Sequence, residues 1–142
     1  MTIARLIKGR SAQTITCEVT TTVRDAVALL ADKRIGAVPV LANGSVAGIF
    51  SERDVIRQLR NNGAAMLDKL VGEVMTAPAV TVELDCEVLA ALGLMTKRRI
   101  RHLPVFDNGH MVDFISIGDL VKYRIDHIES EAAAMRSYIE TA

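Results

Sequence analysis

Ile49-Phe50-Ser51-Glu52-Arg53-Asp54-Val55-Ile56 and Phe114-Ile115-Ser116-Ile117-Gly118-Asp119-Leu120-Val121 are two copies of one pattern: an apolar strand that runs into Ser-x-x-Asp and then into a helix. The hydroxyl and the carboxylate stand where strand turns to helix, beside free backbone N–H groups and the positive end of the helix dipole. Two readings fit that position. Ser-x-x-Asp ahead of an apolar run is a capping box, which needs no ligand. The same place suits an anion such as phosphate. A single copy reads as a cap, but a second at a fixed spacing asks for more.

Working outward from the two copies, a shift of 65 residues aligns positions 15–59 with 80–124 without a gap, giving 13 identities in 45 positions. Ile15 meets Val80, Val23 meets Val88, Ala26 meets Ala91, and Arg34-Ile35 meets Arg99-Ile100. Pro39-Val40 meets Pro104-Val105, and Asn43-Gly44 meets Asn108-Gly109. The turn, the proline and the strand-to-helix step recur together, which marks an internal duplication. Each copy reads β-α-β-β-α. Gln13 to Val19 is a predicted strand, and Thr22 caps a helix with Val23, Ala26, Val27 and Leu30 on one face. Ala37 to Leu41 is a short strand whose Pro39 predicts an edge or strand-end position. Asn43-Gly44 is a hairpin turn, and Val46 to Phe50 returns as the partner strand. A helix then runs from about Glu52 to Asn61. Residues 2–8 form a brief amphipathic turn, and residues 63–78 link the copies, with a helical turn expected within Leu67 to Met75.

A unit this small buries too little surface to stand alone. The expected fold is therefore α/β (α+β): two repeats packed sheet to sheet about a pseudo-twofold. The expected boundaries are 8–62 for the first repeat, 63–78 for the linker, 79–130 for the second repeat and 131–142 for a C-terminal helical extension. That last helix spreads Leu120, Val121, Tyr123, Ile125, Ile128, Met135, Tyr138 and Ile139 among charges. It is longer than the repeat needs, which points to contact with a second copy of the chain.

Composition narrows the function. Of 142 residues half are hydrophobic, and 17 basic residues balance 17 acidic ones. Neutral charge and the absence of Trp argue against a nucleic-acid surface. No apolar run approaches the roughly 20 residues of a membrane span, and the N-terminus does not read as a signal peptide, so a cytoplasmic protein is expected. Cys17 and Cys86 have no CxxC or His partners, which argues against a metal site or disulfide framework. Phosphate-loop, HExxH and GxSxG signatures are missing, and neither motif serine has a recognisable base, so catalysis is not expected.

Arg-Ile-Gly-Ala-Val-Pro-Val (34–40), Gly-Ile-Phe-Ser-Glu-Arg-Asp-Val (48–55), Ile-Arg-His-Leu-Pro-Val (100–105) and Phe-Ile-Ser-Ile-Gly-Asp-Leu-Val (114–121) together resemble a tandem CBS-domain pair, or Bateman module, of the stand-alone bacterial kind. The resemblance covers about residues 8–130. It implies a non-catalytic regulatory protein that binds an adenosine ligand between the repeats: AMP foremost, with ADP, ATP, NAD or S-adenosylmethionine as alternatives, and no metal. It also implies a disc-like homodimer acting on a regulated partner. The alternative is a dimeric interaction module with degenerate pockets. By the same resemblance, Asp54 and Asp119 would take ribose hydroxyls. Ser51, Arg53, Ser116, Gly118, Arg101 and His102 would face phosphate. Lys8, Arg10, Thr14, Ile15, Ile35, Gly36, Ala37, Thr76, Pro78, Val80 and Ile100 would line the clefts and the adenine.

The copies also differ. Gly36-Ala37 becomes Arg101-His102, while Arg53 becomes Gly118. This predicts an Asp54 site served by Arg53 and an Asp119 site served by Arg101 and His102, with Gly118 admitting close backbone approach. Gly48 becomes Asp113, a carboxylate expected either to face solvent or to repel a triphosphate.

Overall fold

The computed structural model describes residues 1–10 and 13–141. Ser11 and Ala12, within the segment expected to lead into the first strand, and Ala142, at the end of the expected C-terminal extension, lie outside the described residues. The elements are α1 (Ile3–Ile7), β1 (Cys17–Glu18), α2 (Val23–Lys33), β2 (Ala37–Ala42), β3 (Ser45–Ser51) and α3 (Glu52–Asn62). A 3-10 turn (Gly63–Asp68) follows, then α4 (Val71–Val74), β4 (Val82–Glu83), α5 (Val88–Arg98), β5 (His102–Asp107), β6 (His110–Ser116) and α6 (Ile117–Thr141).

The duplication is visible throughout. Two three-stranded sheets, ordered β1-β2-β3 and β4-β5-β6, each combine a parallel and an antiparallel pair. Both hairpins shift register at matching places, between Val40 and Leu41 and between Val105 and Phe106. Asn43-Gly44 and Asn108-Gly109 both turn with positive φ, as a two-residue hairpin loop requires. Thr22 caps α2 as expected, its hydroxyl accepting from the Asp25 N–H at 3.2 Å. The recurring Arg34 and Arg99 end α2 and α5 in the left-handed conformation, with φ of 54° at both.

Two strand expectations change. The predicted strand from Gln13 to Val19 pairs only over Cys17–Glu18, because β2 offers partners there only at Val40 and Leu41. The residues before it lead past a cleft instead. Pro39 does not sit on an edge strand: β2 is central in its sheet. It is tolerated because neither neighbour asks it for an N–H: its β3 partner Ile49 exchanges both backbone bonds with Thr76, at 2.9 Å each, and on the other side β1 pairs only opposite Val40 and Leu41.

The residues leading into each repeat close the core of the other repeat. Ile3 of α1 is fully buried with Val82, Val88, Leu103 and Leu120 of the second repeat, and its N–H donates to the Cys86 carbonyl. In turn, Met66, Val71 and Val74, from the stretch between the repeats, complete the first core with Val23, Val38 and Phe50. The Val71 and Gly72 N–H groups donate to the carbonyls of Thr21 and Val19. Residues 63–78 therefore form part of a packed unit. The sheets meet through β3 and β6. Among the described residues, no helix is long and apolar enough to cross a membrane.

Candidate functional site

Each Ser-x-x-Asp sits at a strand-to-helix junction that is tied to the neighbouring strand. The first N–H of α3, on Glu52, donates to the Gly36 carbonyl, and that of α6, on Ile117, donates to the Arg101 carbonyl. These bonds fix the motif beside the segment that begins β2 or β5. Two clefts result. A cavity of about 380 Å³ brings Ser51, Arg53 and Asp54 together with Thr76, Pro78 and Val80, which lead into the second repeat, and with Gly36, Ile100 and Arg101. A cavity of about 270 Å³ brings Ser116 and Asp119 together with Arg10, Thr14 and Ile15, which lead into the first repeat, and with Ile35. Ala37 and His102 border both. Each cleft thus takes its motif from one repeat and its leading segment from the other.

The two aspartates are held differently. Asp54 is 1% exposed, and four donors surround its carboxylate. The Ser51 N–H and hydroxyl reach Oδ2 at 2.9 and 3.2 Å, and the Thr76 hydroxyl and Arg57 reach Oδ1 at 2.9 and 3.3 Å. These fill the acceptor positions of a carboxylate. Asp119 is part-exposed. The Ser116 N–H donates to its Oδ2 at 2.8 Å, its own N–H donates to Ser116 Oγ at 3.1 Å, and Arg10 Nη1 lies 3.3 Å from the same Oδ2. Burial opposes its ionisation, but the Ser116 N–H bond and the Arg10 charge outweigh burial and hold its carboxyl below the ordinary 3.8. Both motifs are therefore caps, and both also border a cleft.

The basic groups are not divided as expected. Arg101 lines the Asp54 cleft, beside Arg53, and not the Asp119 cleft. His102 borders both clefts while Arg101 lines only the Asp54 cleft, so the two together do not form the basic group of the Asp119 site. The arginine of the Asp119 cleft is Arg10. Its Nε lies 3.1 Å from Asp113 Oδ2, which corrects the expectation for Asp113: that carboxylate is buried and paired rather than solvent-facing. Lys8 is exposed and borders neither cleft. Gly118 borders neither as well, and a Cβ there would meet Ser116 Oγ at an ordinary 3.5 Å, so close approach does not require its glycine.

The sequence carried a signal for the Arg10–Asp113 pair. The 65-residue shift extends upstream to place Arg10 on Met75, as it places Gly48 on Asp113. In the first repeat Met75 packs over Gly48; in the second Arg10 binds Asp113. One contact has been exchanged as a unit. Arg57, which pairs with Asp54, and Phe114, which stacks on His102 at 5.4 Å between ring centres, carried no comparable signal.

Burial lowers the pKa of His102 below its ordinary 6.5, against the opposing pull of Asp119 and Glu52 and with that of Arg101. The imidazole is neutral at pH 7 and offers a cleft a hydrogen bond rather than a charge. The unfolded chain binds this proton more tightly than the folded one. Its contribution is therefore full above pH 6.5 and is lost as pH falls from there toward the folded pKa. Urea unfolding across this window is expected to show stability declining with acid, and His102→Gln is expected to flatten that part of the profile.

Two mixed sheets, exchanged leading segments and paired inter-repeat clefts define a tandem CBS-domain module. The CBS domain family matches residues 11–61 and 71–126, and the chain belongs to that family. It is 35% identical over 140 residues to the mitochondrial CBS domain-containing protein CBSX3 of Arabidopsis thaliana, covering 94% of this chain and 68% of that protein. The crystal structure of the CBS-domain containing protein ATU1752 from Agrobacterium tumefaciens superposes with a TM-score of 0.83 at 34% identity, covering 87% of this chain and 99% of the other. The CBS domain pair of protein MJ0100, solved with 5′-methylthioadenosine and S-adenosyl-L-methionine, shares the fold with a TM-score of 0.76 at 22% identity, covering 89% and 98%. The chain is accordingly a regulatory, non-catalytic module. Among the described residues no cluster of His, Cys, Asp and Glu could hold a metal ion.

Proposed function

We infer that the chain is an adenine-nucleotide sensor, binding AMP, ADP, ATP or NAD in its two clefts and passing the ligand state to a partner protein. The observation that carries this is the crossed construction. Each cleft is closed by both repeats, so a ligand spanning it favours one relative placement of the two over others. The adenosine ligands held by the MJ0100 domain pair support the same ligand class. In the Asp119 cleft the part-exposed carboxylate accepts from the ribose cis-diol. In the Asp54 cleft a ribose hydroxyl takes the place of Arg57, whose side chain is 60% exposed and easily released. Ser51 turns from cap to phosphate when ligand arrives, with Arg53 and Arg101 beside it.

The apolar residues left exposed on α6, among them Ile125, Ile128, Met135 and Ile139, with Ile56 and Leu59 on α3, are the surface for a second copy of the chain. The unpaired thiols suit a reducing, cytoplasmic setting. Burial, then the Glu18 charge, raises the Cys17 thiol to about 11, which keeps it inert.

Thermal denaturation with AMP, ADP, ATP, NAD and S-adenosylmethionine tests the reading. A ligand at 100 times its dissociation constant adds about 2.7 kcal/mol of stability. Asp119→Ala is expected to weaken ligand binding at its cleft about tenfold or more. Unchanged melting with all five compounds would leave a dimeric interaction module without a nucleotide.

A further inference from the structure

The two clefts differ most in charge. Around Asp54 stand Arg53, Arg57, Arg98, Arg99 and Arg101 against Glu52 and Asp54 itself, a net charge of +3. Around Asp119 stands Arg10 against Asp113 and Asp119, a net charge of −1. His102, shared by both, is neutral at pH 7 for the reason given above. Ser11 and Ala12, the neighbours of Arg10, add no charge.

Availability sharpens the contrast. The five arginines of the Asp54 cleft are exposed, and among the described residues only Arg57 of the five pairs with a carboxylate. Arg53 donates to the Arg99 carbonyl, which holds its guanidinium against the cleft wall. Arg10 is already committed, at 3.1 Å to Asp113 and 3.3 Å to Asp119. A phosphate entering there would have to draw Arg10 from a carboxylate and then lie beside that uncompensated charge, one of them buried. A ribose diol meets no such obstacle. Among the described residues Asp119 Oδ1 has no donor, so it can accept from a hydroxyl while Oδ2 keeps its bonds to Ser116 and Arg10.

We propose that the clefts sort adenosine ligands by charge, the Asp54 cleft taking a polyphosphate and the Asp119 cleft a phosphate-free nucleoside, neutral or cationic. This rests on the adenine-ligand reading above and assigns a separate ligand to each site. The module then responds to two chemically distinct signals at once.

Calorimetry on the full chain with ATP and with 5′-methylthioadenosine, singly and in sequence, tests the sorting. Saturation with ATP is expected to leave one full equivalent of the thioether nucleoside still able to bind. Arg53→Gln with Arg101→Gln should weaken ATP about tenfold or more and spare the nucleoside, and Asp119→Asn should do the reverse. Should a variant fold poorly, the unmodified chain still decides: raised salt should weaken ATP steeply and leave the nucleoside nearly untouched. Mutual competition, loss of ATP binding in Asp119→Asn, or equal salt dependence would overturn the sorting while leaving nucleotide binding in place. Binding of neither compound, nor of AMP, would overturn both.

Discussion

Asp54→Ala is expected to lose about 3 kcal/mol of folding stability, and Asp119→Ala about 1 kcal/mol, in urea unfolding. The motifs are identical in type, and the difference comes from what surrounds them. Removing Asp54 takes away a capping carboxylate and leaves the Ser51 N–H and the Thr76 hydroxyl without their acceptor, in a place where the carboxylate is 1% exposed. Thr76 also belongs to the segment that crosses from the first repeat to the second, so its loss loosens the join. Removing Asp119 costs a cap at a part-exposed site, where water replaces it. The order has a practical meaning for binding studies. Lost binding in Asp54→Ala conflates a site with a fold, whereas lost binding in Asp119→Ala reports on a site. Equal losses of stability would contradict the distinction drawn here between the two carboxylates.

Gly48→Ala is expected to cost about 2 kcal/mol, although it adds a single methyl group. A Cβ on Gly48 would lie 2.6 Å from the Thr76 carbonyl oxygen and 2.8 Å from Met75 Sδ. The sulfur sits on a flexible chain and can move. The carbonyl cannot, because Thr76 and Ile49 exchange two backbone hydrogen bonds at 2.9 Å. Shortening Met75 to alanine in the Gly48→Ala background should therefore recover little. Full recovery in that double variant would show the side chain, and not the backbone, to be the obstacle. Gly36→Ala is the control: its added carbon would meet nothing closer than 3.6 Å, and it should be far milder.

Local features of this chain are legible in its sequence. The hairpins follow from Asn-Gly, the helix start from Thr22, and the duplication from a register that never breaks. Those signals act over a few residues or repeat in sequence. The crossed partnership was not legible in the same way. Nothing in Arg10 alone says that it reaches Asp113, 103 residues away; only the pairing of two exchanged positions says so, and only when the repeat is extended past its best-matching part. Arg101 was assigned to the wrong cleft because the 65-residue comparison shows which residues correspond and is silent on which side of a strand each faces. Pro39 predicts an edge or strand-end position because the rule for proline concerns hydrogen bonds, and the central strand here leaves one position free of that demand.

The exchange of leading segments has a consequence for origins and for cooperativity. Ile3 seals the second core, and Val71 and Val74 seal the first. A solitary ancestral repeat with the same segment would have had its own core open and its lid on a neighbour, which is a reciprocally domain-swapped dimer. Fusion of two such copies converts an encounter between molecules into an intramolecular event and removes its dependence on concentration. The two halves are then expected to melt as one body, since neither can lose its structure without unroofing the other.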